Sequence, residues 1–316
     1  MHQSRAALLI VAFGLLGVGG CGGDSPTGPR GSAPANKLIL RRASTPSWAR
    51  DGRSLLCSRA IDGPYSVWRV SDSGQDSVML IADPEGAFCP FWLPDGNHIV
   101  YLRGEEFEFV VYDVRDQSSR SWPAHDAWDD YGISLTPDGS EILYTVYGST
   151  QHETWALDLA SGSKRFVWAG AGAVISPDGR WIAFTTQQDS LAIAPLSGGS
   201  ARRIAVGGYA CWTPDSRYVV FTVLSQTGNV DLMAVDREGT RRWRLTDDAT
   251  VDLAPRVSPD GRRVAYVRCP SLDVPPFDLW ILDLELPTVG ITVERSRGSS
   301  GDSAGRGATS VPSHGF

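Results

Sequence analysis

The sequence predicts an all-β protein, a six-bladed β-propeller of four-stranded blades that is closed by an N-terminal strand. One short phrase recurs as W-A-R-D-G, W-L-P-D-G, L-T-P-D-G, I-S-P-D-G, W-T-P-D-S and V-S-P-D-G, with its aspartates at Asp51, Asp95, Asp138, Asp178, Asp215 and Asp260. Successive aspartates are 44, 43, 40, 37 and 45 residues apart, which is the period of a propeller blade. Six copies therefore predict six blades.

Each copy of the phrase has the composition of a tight hairpin turn. Proline presets φ at the second turn position, aspartate suits the third, and glycine adopts the left-handed conformation that starts the returning strand. Ser216 replaces this glycine once, at an expected strain of about 1 kcal/mol. The phrase thus marks the turn between the first and second strands of every blade.

The residues after each turn alternate with the period of a strand. Four positions past the aspartate stand Leu55, Ile99, Ile142, Ile182, Val219 and Val264. Two positions further stand Cys57, Tyr101, Tyr144, Phe184, Phe221 and Tyr266. Side chains two residues apart lie on the same face of a strand, so this pattern predicts a buried second strand.

The combined repeat, W-x-P-D-G-x-x-[IV]-x-[FY], resembles the TolB-type β-propeller repeat, a relative of the WD40 repeat. The resemblance covers residues 37–286 and implies the fold rather than an activity, because such propellers serve as binding platforms, peptidase gates and occasional enzymes. The α/β domain that precedes the propeller in TolB has no counterpart in these residues. A role specific to TolB is therefore not implied.

The N-terminal segment has the features of an export signal. Residues 1–20 contain Arg5, an apolar run over 6–16 and the small residues V-G-G before Cys21, as in a signal peptide. The V-G-G-C junction resembles a bacterial lipobox, which implies that Cys21 is lipidated and anchors the mature chain. An ordinary signal peptide with an incidental cysteine is the alternative. Residues 21–36 are rich in Gly, Pro and Ser and are expected to form a flexible tether.

Two segments compete for the outer strand of the last blade. Leu38–Leu40 precedes the first repeat, whereas Ile291–Val293 follows the last one at the spacing of an outer strand. We favour the N-terminal segment, since closing the ring in this way removes exposed sheet edges. The propeller is then expected to span 37–294, and residues 295–316 form a low-complexity tail that we expect to be disordered.

The formal net charge of -7, from 29 basic and 36 acidic residues, argues against nucleic acid as a partner. No basic stripe interleaved with aromatic residues occurs either.

Besides Cys21 the chain contains Cys57, Cys89, Cys211 and Cys269, which allow three pairings. Cys57 replaces the aromatic residue of the other repeats and is interpreted as a buried small hydrophobe. If a disulfide forms, the cysteines on successive blades, Cys57 and Cys89, are the expected pair.

The repeat also assigns charged residues to two faces. The loops into each innermost strand and the loops between second and third strands share one face, the loop face, and the P-D-G turns share the other, the turn face. The loop face is predicted to be acidic, with few bases, from Asp62, Asp83, Glu85, Glu105, Glu106, Glu108, Asp126, Asp129, Asp130, Glu153, Asp247, Asp248, Asp252 and Asp273. Such a field favours a cation or a basic partner.

The candidate binding residues lie on this loop face. They are His125, Asp126, Trp128, Asp129, Asp130, Tyr131, His152, Glu153, Tyr209 and Asp252. No cofactor is expected as a requirement, although Asp126, Asp129 and Asp130 have the oxygen ligands that would suit a calcium ion. The alternative is a solvated loop whose aromatic side chains pack at the channel mouth.

No catalytic residue is assigned, since no H-E-x-x-H motif occurs: Thr154, Trp155 and Ala156 follow His152 and Glu153. The first hypothesis is a monomeric, lipid-anchored envelope protein, on the periplasmic side of the outer membrane, that binds another protein or peptide without catalysis. The second is a metal-assisted polysaccharide lyase or hydrolase that uses the residues around His125 and His152. The third is a sensor of a glycan or small ligand that stacks on aromatic side chains such as Tyr209.

Overall fold

The computed structural model describes residues 36–104, 106–124, 127, 132–147, 151–225, 228–271 and 277–287. These residues form 24 strands in six antiparallel sheets of four strands each. The predicted six-bladed propeller is therefore confirmed. Among the same residues there is no helix long and apolar enough to span a bilayer. The signal peptide, Cys21, the tether up to residue 35 and the tail from residue 295 lie outside this part of the chain, whereas Asn36, predicted as the end of the tether, begins the first strand.

The first three blades follow one another along the chain, each with its innermost strand first. Blade 1 contains β2 (Ala43–Trp48), β3 (Ser54–Arg59), β4 (Ser66–Ser71) and β5 (Ser77–Ile81). Blade 2 contains β6 (Ala87–Trp92), β7 (His98–Arg103), β8 (Glu108–Asp113) and β9 (Ser119–Pro123). Blade 3 contains β10 (Ser134–Leu135), β11 (Glu141–Tyr147), β12 (His152–Asp158) and β13 (Lys164–Ala169).

The remaining blades repeat this order, except that the last blade takes its outer strand from the N-terminus. Blade 4 contains β14 (Ala171–Ile175), β15 (Trp181–Thr185), β16 (Ser190–Pro195) and β17 (Arg202–Val206). Blade 5 contains β18 (Gly208–Trp212), β19 (Tyr218–Leu224), β20 (Val230–Asp236) and β21 (Arg242–Arg244). Blade 6 contains β22 (Val251–Val257), β23 (Arg263–Cys269), β24 (Asp278–Asp283) and β1 (Asn36–Leu40).

Strand β1 closes the ring by pairing with β24, as predicted for Leu38–Leu40. The backbone N–H of Arg42 donates to Asp278 Oδ1 at 2.9 Å and fixes the end of the strand. The competing segment, Ile291–Val293, lies outside the described residues, and the compact unit that holds the blades ends at Leu284. Asn36 pairs with Leu282, which pairs in turn with the start of β23 beside a P-D-G turn. The N-terminal strand therefore begins at the turn face.

The aspartates of the P-D-G phrases hold their own turns. In every blade the aspartate Oδ1 accepts the N–H two residues later, at 2.8–3.1 Å. In four blades it also accepts, at 2.5–2.7 Å, a hydroxyl from Thr136, Ser176, Thr213 or Ser258. The bond from Thr136 lowers the pKa of Asp138 and the bond from Ser176 that of Asp178. These carboxylates stabilise the turns.

Ser216 adopts the left-handed conformation that its place in the phrase requires, with φ of 58°. Its side chain is buried, and its Oγ accepts the backbone N–H of Asp178 in the neighbouring turn at 3.0 Å. Serine thus contributes a contact between blades that glycine could not make, and this contact offsets part of the strain.

The second strands carry the core, and their large side chains fill the space between blades. Tyr101, Tyr144, Tyr266 and Phe221 are among the largest fully buried side chains. Cys57 is completely buried, as predicted, and burial raises the pKa of its thiol to about 12. No disulfide links the four cysteines in the described part of the chain.

A bulge interrupts five of the six innermost strands, a feature that sequence analysis missed. The register breaks near a residue of positive φ that lies six positions before the turn aspartate: Thr45, Cys89, Gly172, Tyr209 and Ala254. Side-chain hydroxyls of the preceding blade hold two of these bulges. Ser58 Oγ accepts the N–H of Cys89 at 3.1 Å, and Thr145 Oγ1 accepts the N–H of Gly172 at 2.9 Å.

We expect Thr145→Val to lower the free energy of unfolding by about 1–3 kcal/mol, because it leaves the N–H of Gly172 without its bond between blades. Thr222→Val is the matched control. Thr222 has the equivalent position in blade 5, but its buried Oγ1 has no hydrogen-bond partner among the described residues. Urea unfolding measures both variants, and an equal loss in the two would contradict this role of Thr145.

Candidate functional site

The loop face carries those predicted carboxylates that the structure describes, but arginines at strand ends also lie there. Arg103, Arg244 and Arg268 each form ion pairs with two acidic side chains. The expectation of few bases on this face was therefore wrong, although acidic residues still outnumber basic ones among its described members. The arginines were missed because they lie in strands rather than in the loops.

In blade 2, Arg103 bridges two carboxylates at the end of β7. Its Nε lies 2.8 Å from Asp83 Oδ2, and its Nη1 lies 3.3 Å from Glu108 Oε2. The hydroxyl of Tyr101 also donates to Asp83, at 2.8 Å. Burial opposes ionisation, but the bonds from Arg103 and Tyr101 outweigh it and keep the pKa of Asp83 below its ordinary value. The buried Asp83 is thus held as a carboxylate.

A second arginine cluster lies across blades 5 and 6. Arg268 donates to both oxygens of Asp252, at 2.7 and 2.9 Å, and lies 2.6 Å from Asp248. Arg244 lies 2.6 Å from Asp231, whose side chain is also buried. Asp252 has no exposed surface, and burial raises its pKa although Arg268 opposes the shift. Asp252, predicted as a binding residue, therefore orients Arg268 instead of facing a ligand.

A sequence signal for two of these arginines exists in the repeat. The position eight residues after the turn aspartate is arginine in three consecutive blades, at Arg268, Arg59 and Arg103. This position ends the second strand at the loop face. Arg59 stacks on Trp68, with its guanidinium carbon 5.0 Å from the ring centroid.

The predicted residues of blades 3 to 5 occupy separate positions on this face. The ring of His152 contacts that of Tyr147 edge to face, with 5.1 Å between the ring centroids. Burial lowers the pKa of His152, and the nearby Asp189 opposes this shift. Glu153 accepts the indole N–H of Trp155 at 2.9 Å. Tyr209 occupies the bulge of β18, with φ of 51°.

The remaining predicted residues lie outside the described part of the chain. They are His125, Asp126, Trp128, Asp129, Asp130 and Tyr131, and they include the three carboxylates that would suit calcium. Elsewhere, the described residues contain no group of three or more His, Cys, Asp and Glu side chains that could hold a metal ion. A calcium site at 126–130 stays a prediction.

Innermost strands surround the central channel of a propeller. The residues four positions before each turn aspartate lie on these strands, and all but the first are half-buried: Ser47, Phe91, Ser134, Val174, Cys211 and Arg256. The guanidinium carbon of Arg256 lies 5.9 Å from the ring centroid of Phe91. These residues are on innermost strands two blades apart, so their contact crosses the channel. Burial raises the pKa of the Cys211 thiol, and Arg256 opposes the shift.

Comparison with known proteins agrees with this architecture. No family model matches the chain. It is 26% identical over 243 residues to an uncharacterized protein, Atu1656, of Agrobacterium fabrum, covering 74% of this chain and 67% of that protein. It is 32% identical over 137 residues to a TolB homolog of Chlorobium chlorochromatii, and the match covers 41% of this chain and 31% of that protein. The TolB structure from Acinetobacter baumannii matches with a TM-score of 0.58 and 16% identity. This match covers 78% of this chain and 64% of the TolB chain.

The fold is that of a TolB-like propeller. The chain spans less than two thirds of the Chlorobium and Acinetobacter proteins. Propellers with other activities have the same fold. An oligogalacturonate lyase from Vibrio parahaemolyticus matches with a TM-score of 0.56 and 14% identity, covering 78% of this chain and 91% of its own. A gluconolactonase from Xanthomonas campestris matches with a TM-score of 0.59 and 11% identity, and the match covers 80% of this chain and 90% of the gluconolactonase.

We expect Arg268→Met to lower the free energy of unfolding at neutral pH by about 3–5 kcal/mol, because it leaves Asp252 as an unpaired buried charge. The pKa of Asp252 is raised in the folded chain, so the folded state binds its proton more tightly than the unfolded state. The loss should therefore shrink as the pH falls toward the ordinary carboxyl value of 3.8. Urea unfolding across this range measures it.

The control is Arg268→Met combined with Asp252→Asn, which removes the orphaned charge. This double variant should recover most of the stability at neutral pH. A single variant whose loss is the same at all pH values would contradict the assigned role of Asp252.

Proposed function

We propose that the chain is a cell-envelope lipoprotein whose TolB-like propeller binds a protein or peptide partner at the loop face, without catalysing a reaction. The observation that carries the proposal is the direction of β1. This strand starts at the turn face with Asn36 beside Leu282. A chain coming from lipidated Cys21 would join the propeller there, so its attachment would leave the loop face free for a partner.

The chemistry of the loop face supports a protein partner. Its carboxylates outnumber its arginines, which favours a basic surface on the partner. Exposed apolar side chains lie at the loop-face ends of second strands, at Tyr147 and Leu224, and in the loop after one, at Ile61; they are 56%, 54% and 41% exposed. A polar surface with a few exposed large apolar side chains suits a protein interface.

The alternative is a metal-assisted lyase or hydrolase that uses His125, Asp126, Asp129, Asp130 and His152. The likeness to the Vibrio oligogalacturonate lyase favours it, but at 14% identity this likeness concerns the fold. Elemental analysis of the purified protein separates the two proposals. Stoichiometric metal that is lost with Asp129→Ala and Asp130→Ala would support the lyase.

We expect Cys21→Ser to release the protein from the membrane fraction, because the lipidated thiol would be lost. Mass spectrometry of the wild-type N-terminus should find a lipid-modified Cys21. Cys211→Ser is the control and should stay with the membrane. Unchanged membrane association of Cys21→Ser would contradict lipid anchoring.

We expect a photo-crosslinking amino acid at Ile61 or Leu224 to capture one defined protein in cells, with a yield that falls when the salt concentration rises. Val78 and Met79 of β5 are the matched controls, since they are 43% and 48% exposed on an outer strand instead of the loop face. Mass spectrometry identifies the adducts. The same adducts at β5 and at the loop face would contradict a loop-face interface.

A further inference from the structure

We propose that the central channel contains a carboxylate-binding site at its turn-face end, centred on Arg256. This inference is independent of lipidation and of the partner proposed for the loop face. It assigns a ligand class, a small molecule or chain end that bears a carboxylate, to residues that the repeat alone does not single out.

The first observation is the state of the Arg256 guanidinium. It is half-buried, and its one hydrogen bond goes from an Nη to the carbonyl of Pro255 at 3.0 Å. It forms no ion pair with a carboxylate among the described residues. A guanidinium has five N–H donors in a planar fork, so most of its hydrogen-bonding capacity is available to a ligand.

This state differs from that of three other half-buried arginines, although Arg59 and Arg217 are also half-buried and form no ion pair among the described residues. Arg103 and Arg268 each pair with two carboxylates, and Arg263 pairs with Asp72 at 2.6 Å. Removing a cation from water is costly unless it finds a counter-charge. Arg256 has no such counter-charge, and unlike Arg59 and Arg217 it lies on an innermost strand, where a ligand in the channel could supply one.

The second observation is the position of Arg256 near the turn face. It lies near the end of β22, and the next N–H, that of Val257, bonds Cys211 Sγ at 3.3 Å. The turns around this mouth carry arginine two residues after the aspartate in four consecutive blades, namely Arg180, Arg217, Arg262 and Arg53. Arg53, Arg180 and Arg262 have exposed side chains. The turn aspartates balance this charge, but their oxygens accept bonds within their own turns, so the exposed guanidinium groups are hydrogen-bond donors that an anion at this mouth could use.

The third observation is Phe91, which presents an apolar ring beside the guanidinium. An arginine fork matches the two oxygens of a planar carboxylate. A ring beside the fork adds an apolar surface for the group that bears the carboxylate. The site therefore fits a carboxylate attached to an apolar or aromatic group better than a bare inorganic anion.

The test is calorimetric titration of the full chain with benzoate, with benzyl alcohol as the uncharged probe. We expect saturable binding of benzoate and no saturable binding of the alcohol. Arg256→Met should weaken benzoate binding at least tenfold. Arg256→Lys keeps the charge but loses the planar fork, so its affinity for benzoate should lie between those of the wild type and Arg256→Met. Arg41→Gln is the control, since this exposed arginine lies at the loop-face end of β1.

Folding of the variants is checked by urea unfolding. The contact of Arg256 with Trp48 runs through its backbone carbonyl, which accepts the indole N–H at 2.9 Å and does not depend on the side chain. Absence of saturable benzoate binding to the folded wild type would overturn the proposal. Equal affinities of the wild type and Arg256→Met would overturn it as well. Peptides ending in a free carboxylate or an amide then distinguish a chain end from a small acid.

Discussion

The contact between the second strand of one blade and the innermost strand of the next is the constraint on which the ring depends. Hydroxyls of Ser58 and Thr145 hold the bulged backbone of the following blade. Indole N–H groups bond back to the innermost strand of the preceding blade. Trp48 donates to the carbonyl of Arg256, and Trp212 donates to that of Val174. Because these bonds fix the innermost strands, they also fix which side chains meet in the channel.

The sequence predicted the parts of the fold that are local or repeated. Turn aspartates, the buried second strands and the closing strand Leu38–Leu40 all follow from spacing and alternation. The bulges do not, because Thr45, Cys89, Tyr209 and Ala254 are not residues that favour positive φ. At Cys89 the conformation is held by Ser58 of the preceding blade, a contact that a single strand cannot reveal.

The candidate site was less predictable than the fold for a related reason. Sorting charges by loop placed carboxylates such as Asp83 and Asp248 on the face where the structure has them, yet it overlooked arginines that reach the same face from strand ends. The sequence predicts Asp252 as an acidic residue of the loop face, but in the structure it is buried and accepts hydrogen bonds from Arg268. Arg256 is similar, because its sequence neighbours do not show that its side chain crosses to Phe91. Repeat position, rather than local sequence, is the better guide to such residues.

Closure by β1 has a consequence for how the chain reaches its native state. Arg42 and Asp278, which meet at the seam, are 236 positions apart, so the first strand to be made pairs with the last. Closing so long a loop is slow because its entropy must be lost before any seam contact forms. Until then, β24 keeps an unpaired edge that is prone to wrong pairing. A truncation that removes β1 would leave every repeat intact and yet expose this edge permanently.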